Sequence, residues 1–221
     1  TNNSTKSGAD YVSRFQNVFG LKSTEDLFIT SGFMTIQFLK SHFMGKTIFV
    51  LGTSSFVAEL KKNGLTVTES PSEDIVCVVV AYDSELNYQK LIHVCQVLST
   101  MDVPYYATNP DLCCPIDFGF IPDCGAICNM IESSTGKKPT YLGNPAREVV
   151  DVCISASGFT PEETIVVGDR MYTDILCGVN AGVDTCVLYT GEATKEEVLA
   201  SPYKPTYEFA DVAAFLEAVK A

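Results

Sequence analysis

The stretch TIVVGDRMYTDILCGVNAG, residues 164–182, carries two carboxylates five positions apart, Asp169 and Asp174. An apolar, β-branched run delivers Gly168 and Asp169 to a strand end, and Asp174 is expected at the start of a helix capped by Thr173. Both carboxylates would then face one crevice. Hard oxygen ligands on a rigid strand end suit Mg2+, which takes one or two carboxylates and completes its shell with water and substrate phosphate. Ordinary turn and cap chemistry accounts for the same spacing, so the pattern alone leaves both readings open. At the other end of the sequence TNNST sets a hydroxyl, Thr1, before two amides, Asn2 and Asn3. That resembles the carboxyl end of a strand, where open parallel sheets hold their ligand loops.

Such residues need elements to carry them, and the sequence supplies alternating strands and helices. TIFVLG (47–52) reads as a short buried strand, followed by a helix over 54–62 that stops at Asn63-Gly64. DIVCVVVAYD (74–83) is dense in β-branched residues and reads as a central strand. Tyr88, Leu91, Ile92, Cys95 and Leu98 recur at helical spacing and predict an amphipathic helix ending before VPYYATNPD (103–111). The alternation continues through PTYLGN (139–144), a helix over 145–157, the acidic stretch and TCVLYTG (185–191). EFADVAAFLEAVK (208–220) is predicted as a closing helix with Ala213, Phe215, Leu216 and Val219 inward. The fold class is therefore α/β around largely parallel sheet.

Composition limits the partners. With 15 Lys and Arg against 27 Asp and Glu, the formal charge of −12 repels nucleic acid and anionic lipid. A small ligand, held through a cation, is the expected partner, with no nucleic acid and no membrane. A homodimer is compatible with the sequence, which marks no interface. Nine cysteines, mostly within apolar segments, point to a reducing cytoplasm. Cys113, Cys114, Cys124 and Cys128 match no common zinc spacing and are expected to pack. His42 and His93 are the only histidines and read as structural. No G-x-G-x-x-G follows any strand, which argues against a dinucleotide-binding dehydrogenase. Asn109-Pro110-Asp111 fits substrate contact and plain turn chemistry equally.

The arrangement G-D-x-x-x-x-D-I resembles the fourth motif of the haloacid dehalogenase (HAD) superfamily. GDRMYTDILCGVNAGVDTCVLYTGEAT is similar to the branch of NagD and the phosphoglycolate and pyridoxal phosphatases. TNNS resembles that branch's second motif, ATNPD (107–111) a segment of its cap, and TGKKPTYLGNP the approach to its third motif.

The resemblance implies a Rossmann-like HAD core with a parallel sheet, formed by residues 1–21 and 136–221, and an inserted α/β C2-type cap formed by residues 22–135. It implies a Mg2+-dependent phosphatase acting on a small phosphorylated metabolite through an aspartyl-phosphate. The Thr1 hydroxyl and the backbone N–H groups of Asn2 and Asn3 would bind phosphate, and Asp169 and Asp174 would hold or orient around the metal. The family order places a D-x-D nucleophile strand of roughly 30 or more residues ahead of the second motif, and this sequence starts at that second motif. The nucleophilic Asp is therefore not among its residues. The sequence also departs from the family at Gly143-Asn144-Pro145, where the family carries a lysine at the position of Asn144. Loss of that cation is expected to cost a factor on the order of 10^2 in rate. Arg147 is the nearest candidate substitute, against an ordinary solvated role. Asn144 and the absent nucleophile favour an alternative, a phosphate-ligand binding protein that does not turn over.

Overall fold

Two adjacent strands explain most of the first half of the molecule. β1 (Thr47–Leu51) and β3 (Ile75–Val80) pair in parallel, and their side chains divide between two cores with the period of two that a strand imposes. Phe49, Leu51, Val78 and Val80 enter one core, while Ile48, Val50, Cys77 and Val79 enter the other. Both faces are thus covered, which is why the run reads as continuously apolar. The computed structural model, which describes residues 1–220, completes this sheet with β2 (Thr66–Thr68), β4 (Tyr105–Ala107) and β7 (Thr140–Tyr141) in the order β2-β1-β3-β4-β7, all parallel.

Helices α2 (Ser31–Phe43) and α3 (Ser54–Lys62) cover one face through Ile36, Leu39, Phe56 and Leu60. Helices α4 (Tyr88–Thr100) and α5 (Cys124–Thr135) cover the other through Val94, Val97, Ile127 and Ile131. Each start is fixed by a side chain that accepts a backbone N–H: Thr30, Thr53, Asn87 and Asp123 respectively. A further helix, α1 (Gly8–Phe19), begins in a capping box between Ser7 and Asp10. A hairpin of β5 (Cys113–Ile116) and β6 (Gly119–Pro122) interrupts the path from β4 to α5.

Contacts divide the chain into one unit over Thr1–Gly143 and a second from Asn144 on. The second holds a three-stranded parallel sheet in the order β10-β9-β8, built from β8 (Ile165–Gly168), β9 (Asp184–Leu188) and β10 (Tyr207–Phe209). Its helices are α6 (Glu148–Ser157), α7 (Leu176–Ala181), α8 (Lys195–Ala200) and α9 (Val212–Lys220). Small cores form around Met171, Ile175 and Val187, and around Val150, Cys177 and Val183. Among the described residues, no helix is long and apolar enough to cross a membrane.

Three expectations are corrected. In α4 the buried stripe runs through Val94, Val97 and Leu98, while Tyr88 and Ile92 face solvent. The closing segment is a strand followed by a shorter helix. Within α9, Phe215 leans on Phe209, whereas Leu216 and Val219 are exposed and no residue is buried. Periodicity reports an apolar side; it does not supply a partner. Finally, the helix expected over 145–157 begins at Glu148, because 144–147 form a turn.

Buried charge tests this packing. Asp83, at the carboxyl end of β3, pairs with Lys90 at 2.7 Å, and the same ammonium donates to Gly52 O at 2.9 Å, tying the ends of β1 and β3 together. Lys90→Met strands a buried carboxylate, so the unfolding free energy should fall by about 3 kcal/mol. Urea denaturation checks this; a fall below about 1 kcal/mol would show that water reaches Asp83.

Candidate active site

The N-terminal residues lie across the carboxyl end of the five-stranded sheet. Thr1 is bound on both sides as in a parallel ladder: its nitrogen donates to Ile29 O at 2.9 Å, and its carbonyl accepts from Ser31 N at 2.9 Å. The strand-end character expected of TNNST is present in these bonds, although the segment itself is irregular. Asn3 closes a local turn, its Oδ1 accepting from Thr5 N at 2.9 Å and from the Thr5 hydroxyl at 2.7 Å. The Asn3 N–H points at Thr1 Oγ1 at a long 3.4 Å. Asn2 donates its amide to Asp111 Oδ2 at 2.8 Å, and Asn2 O accepts from the Ser31 hydroxyl at 2.6 Å.

The amide side chains of Asn2 and Asn3 therefore shape the loop. Ser4, buried behind them, accepts from Tyr82 N at 3.1 Å. Gly143 completes the cluster: a Cβ there would stand 2.4 Å from Thr108 O and 2.9 Å from Asn2 Oδ1. Only glycine fits that approach.

In the second unit, β8 ends at Gly168 and the chain turns through a π-helical segment, Met171–Ile175, into α7. Thr173 does not cap this helix. It lies inside the π turn, buried, with its hydroxyl unpartnered. The turn folds Asp174 back on the strand end, where its Oδ2 accepts from the N–H groups of Asp169 and Arg170, both at 3.3 Å. Asn144 donates its side-chain amide to Asp174 Oδ1 at 3.3 Å.

Asp169 Oδ2 accepts from Glu192 N at 3.0 Å, and the Asp169 carbonyl accepts from Ala193 N at 2.8 Å. Glycines make room for both carboxylates. A Cβ at Gly191 would fall 1.8 Å from Asp169 Oδ2, and one at Gly168 would fall 2.4 Å from Asp174 Oδ2. The Glu192 carboxylate then closes the loop, accepting from Arg170 Nε at 2.6 Å and from the Tyr172 hydroxyl at 3.3 Å.

The two acidic residues that the sequence singles out thus sit on one loop as an adjacent pair. Among the described residues, no group of three or more His, Cys, Asp and Glu side chains could hold a metal on protein ligands alone. Two carboxylate oxygens in a glycine cradle fit a hard cation that keeps most of its waters, as Mg2+ does. Arg147 is exposed and turned away to Asp151, its Nε at 3.0 Å and Nη2 at 3.3 Å from that carboxylate, which also raises the guanidinium pKa.

Burial, and secondarily the Asp174 carboxylate, pushes the Cys177 thiol up to about 12, and burial pushes Cys77 to about 12, so both stay protonated and inert. Cys124 and Cys128 lie one turn apart in the core beneath β4. Gly191 and Glu192 escaped the sequence reading, because Glu192 acts on Asp169 through its backbone and nothing in its type marks that role.

Comparison with known proteins identifies relatives of this chain. A haloacid dehalogenase-like hydrolase family model matches residues 1–66, and a HAD-hydrolase-like model matches residues 141–215. The chain is 31% identical to the ribonucleotide monophosphatase NagD of Escherichia coli K12 over 213 residues, covering 96% of this chain and 82% of that protein. It is 32% identical to an acid sugar phosphatase of Staphylococcus saprophyticus over 216 residues, covering 96% and 80% respectively. Superposition on a 4-nitrophenylphosphatase from Thermotoga maritima gives a TM-score of 0.88 at 36% identity, over 99% of this chain and 82% of that one. The chain belongs to the haloacid dehalogenase superfamily, in the branch of NagD and the p-nitrophenyl phosphatases. Its relatives there are phosphoric monoester hydrolases.

The bonds from the Asp169 and Arg170 N–H groups to Asp174 can be measured directly. Asp174→Ala should speed amide hydrogen exchange at Asp169 and Arg170 by about tenfold, on the usual cost of about 1–3 kcal/mol for an abandoned donor. Unchanged exchange would mean that these amides are protected by something other than the carboxylate.

Proposed function

We propose that the chain carries the phosphate and metal sites of a Mg2+-dependent phosphatase that hydrolyses a small phosphomonoester, such as a sugar phosphate or nucleotide. The observation that carries this reading is the Asp169–Asp174 pair, fixed at the end of β8 by backbone N–H groups and given room by Gly168 and Gly191. Membership of the HAD superfamily supports it, as do relatives named as sugar phosphate, ribonucleotide and nitrophenyl phosphatases. In this reading residues 1–21 and 136–221 belong to the core and residues 22–135 to a C2-type cap.

Asp169 would ligate the cation, and Asp174 would ligate it or orient a bound water. When bound, Mg2+ screens the charge between phosphate and carboxylates and polarises the phosphoryl group. The Thr1 hydroxyl and the N–H groups of Asn2 and Asn3 would donate to phosphoryl oxygens, neutral donors placed where negative charge grows. Their loop is already built, because the bonds of Thr1 to Ile29 and Ser31 and the Asn3 turn fix it without a ligand. The nucleophile, an aspartate that would form the aspartyl-phosphate, is not among these residues.

Asn144 favours a second reading, a protein of this fold that binds phosphate and turns over poorly. An amide keeps the link to Asp174 that a longer cation would make, and carries no charge to the phosphate.

Phosphate release from p-nitrophenyl phosphate, sugar phosphates and nucleotides, with and without Mg2+, tests both readings on the full-length protein. The phosphatase reading expects Mg2+-dependent release that Asp169→Ala abolishes, and Asn144→Lys should raise kcat by about 10^2. No release by the wild type, with activity appearing in Asn144→Lys, would establish the binding reading. Release indifferent to Mg2+ would sink the metal assignment.

A further inference from the structure

Asn109 and Asp111 lie in the loop after β4, where sequence alone fits substrate contact and a plain turn equally. The structure gives them more to do. Asn109 is fully buried, Asp111 is 1% exposed and Asp123 5%, yet all three are polar and Asp111 and Asp123 are acidic. One amide joins the two carboxyl groups: Asn109 Nδ2 donates to Asp111 Oδ2 at 2.8 Å and to Asp123 Oδ1 at 3.0 Å.

The orientation of that amide is fixed from behind. Thr108 Oγ1 lies 2.8 Å from Asn109 Oδ1 and 3.1 Å from Ser4 Oγ. An amide oxygen only accepts, so the single Thr108 hydrogen serves Asn109, and the Ser4 hydroxyl supplies the hydrogen between the two alcohols. Ser4 Oγ in turn accepts from Tyr82 N, so the chain of bonds is anchored on the backbone beyond β3. Asn109 then has both amide hydrogens free for the two acids and cannot be reversed without setting its oxygen against carboxylates.

Two further facts make this assembly rigid. Asp123 caps α5 by accepting from Cys124 N, and Gly125 N donates to Asp111 O at 2.8 Å. A Cβ at Gly125 would stand 2.2 Å from Pro110 O, so the loop is wedged against the helix start. Onto this frame Asp111 hangs the Asn2 side chain, its Oδ2 accepting from Asn2 Nδ2 at 2.8 Å.

We propose that Asn109 and Asp111 are positioning residues: through the Asn2 side chain they set the backbone N–H groups of residues 2 and 3 that receive the phosphoryl group. The proposal rests on the phosphate-loop reading of Thr1, Asn2 and Asn3 given above. Neither Asn109 nor Asp111 is assigned contact with substrate. The route from Asp111 to Asn2 makes the proposal testable.

The experiment measures inhibition of the full-length enzyme by inorganic phosphate, together with KM, kcat and melting temperature. The variants are Thr1→Val, Asn2→Ala, Asp111→Ala, Asp111→Asn and the double variant Asn2→Ala/Asp111→Ala. Thr1→Val should weaken phosphate inhibition and so establish the loop. Asp111→Ala and Asn2→Ala should each weaken it by about tenfold, and the double variant should be no worse than either single one, since the two act in series. Asp111→Asn keeps an oxygen for both amides and should recover at least half of the loss.

Multiplying effects in the double variant would overturn the proposal. So would Asp111→Ala that lowers the melting temperature while phosphate inhibition stays at the wild-type value, because that is what a purely structural residue does. If Thr1→Val leaves phosphate inhibition unchanged, the loop reading itself fails and takes the proposal with it. If Thr1→Val weakens inhibition but Asp111→Ala does not, the loop reading stands and the proposal alone is refuted.

Discussion

All five strands of the large sheet run the same way, so all five deliver their last backbone groups to one edge, and that edge has to be satisfied largely out of water. Helices on both faces leave little solvent for the carbonyls and N–H groups that emerge after Leu51, Val80, Ala107 and Tyr141. The molecule meets this demand with side chains. Lys90 reaches Gly52 O, Ser4 takes Tyr82 N, and Glu85 receives the first turn of α3 at Ser54, which holds its carboxyl below the usual carboxylate range. Buried polar residues gather at this edge for the same reason that ligand sites do: donors and acceptors already point outward there.

The second unit solves a related problem with fewer residues. The end of β8 needs acceptors for the N–H groups of Asp169 and Arg170, and one residue supplies them by returning through a π turn. A regular α-helix from Met171 would advance Asp174 differently around the axis, and π turns recur where a side chain must be re-aimed. The same turn buries Thr173 with an unpartnered hydroxyl, a cost typically of about 1–3 kcal/mol. That cost falls beside the two carboxylates proposed to hold the metal.

Much of this was legible in the sequence, and the gaps have physical causes. The span of α3 could be read to the residue, because Thr53 and Asn63-Gly64 punctuate it locally. Asp169 and Asp174 announced themselves by type and spacing. Asn109 and Asp111 stood out only as a turn or a substrate contact, since a turn and a buried network use the same residue types and differ only in what stands opposite, here Asn2 and Asp123 from other parts of the chain. Glu192 was invisible because its N–H is what holds Asp169, and every residue but proline has one. The exposed face of α9 failed for the converse reason: its periodicity is genuine, but among the described residues Leu216 and Val219 bury against nothing.

Asn144 brings these strands of argument to one point. A lysine there would meet Asp174 as an ion pair; the Asn144 amide instead joins the Asp169 and Arg170 N–H groups as a neutral donor to that carboxylate. In the phosphatase reading Asn144 brings no positive charge to the site, so that role would fall to the cation proposed for Asp169 and Asp174. The Glu192 carboxylate, whose own N–H holds Asp169, is bound to Arg170, an ion pair that offsets its charge. The ion pair at Arg170 and the amide at Asn144 therefore differ in kind: the first offsets a carboxylate's charge, while the second orients a carboxylate and leaves the supply of positive charge to the cation proposed for the Asp169–Asp174 pair.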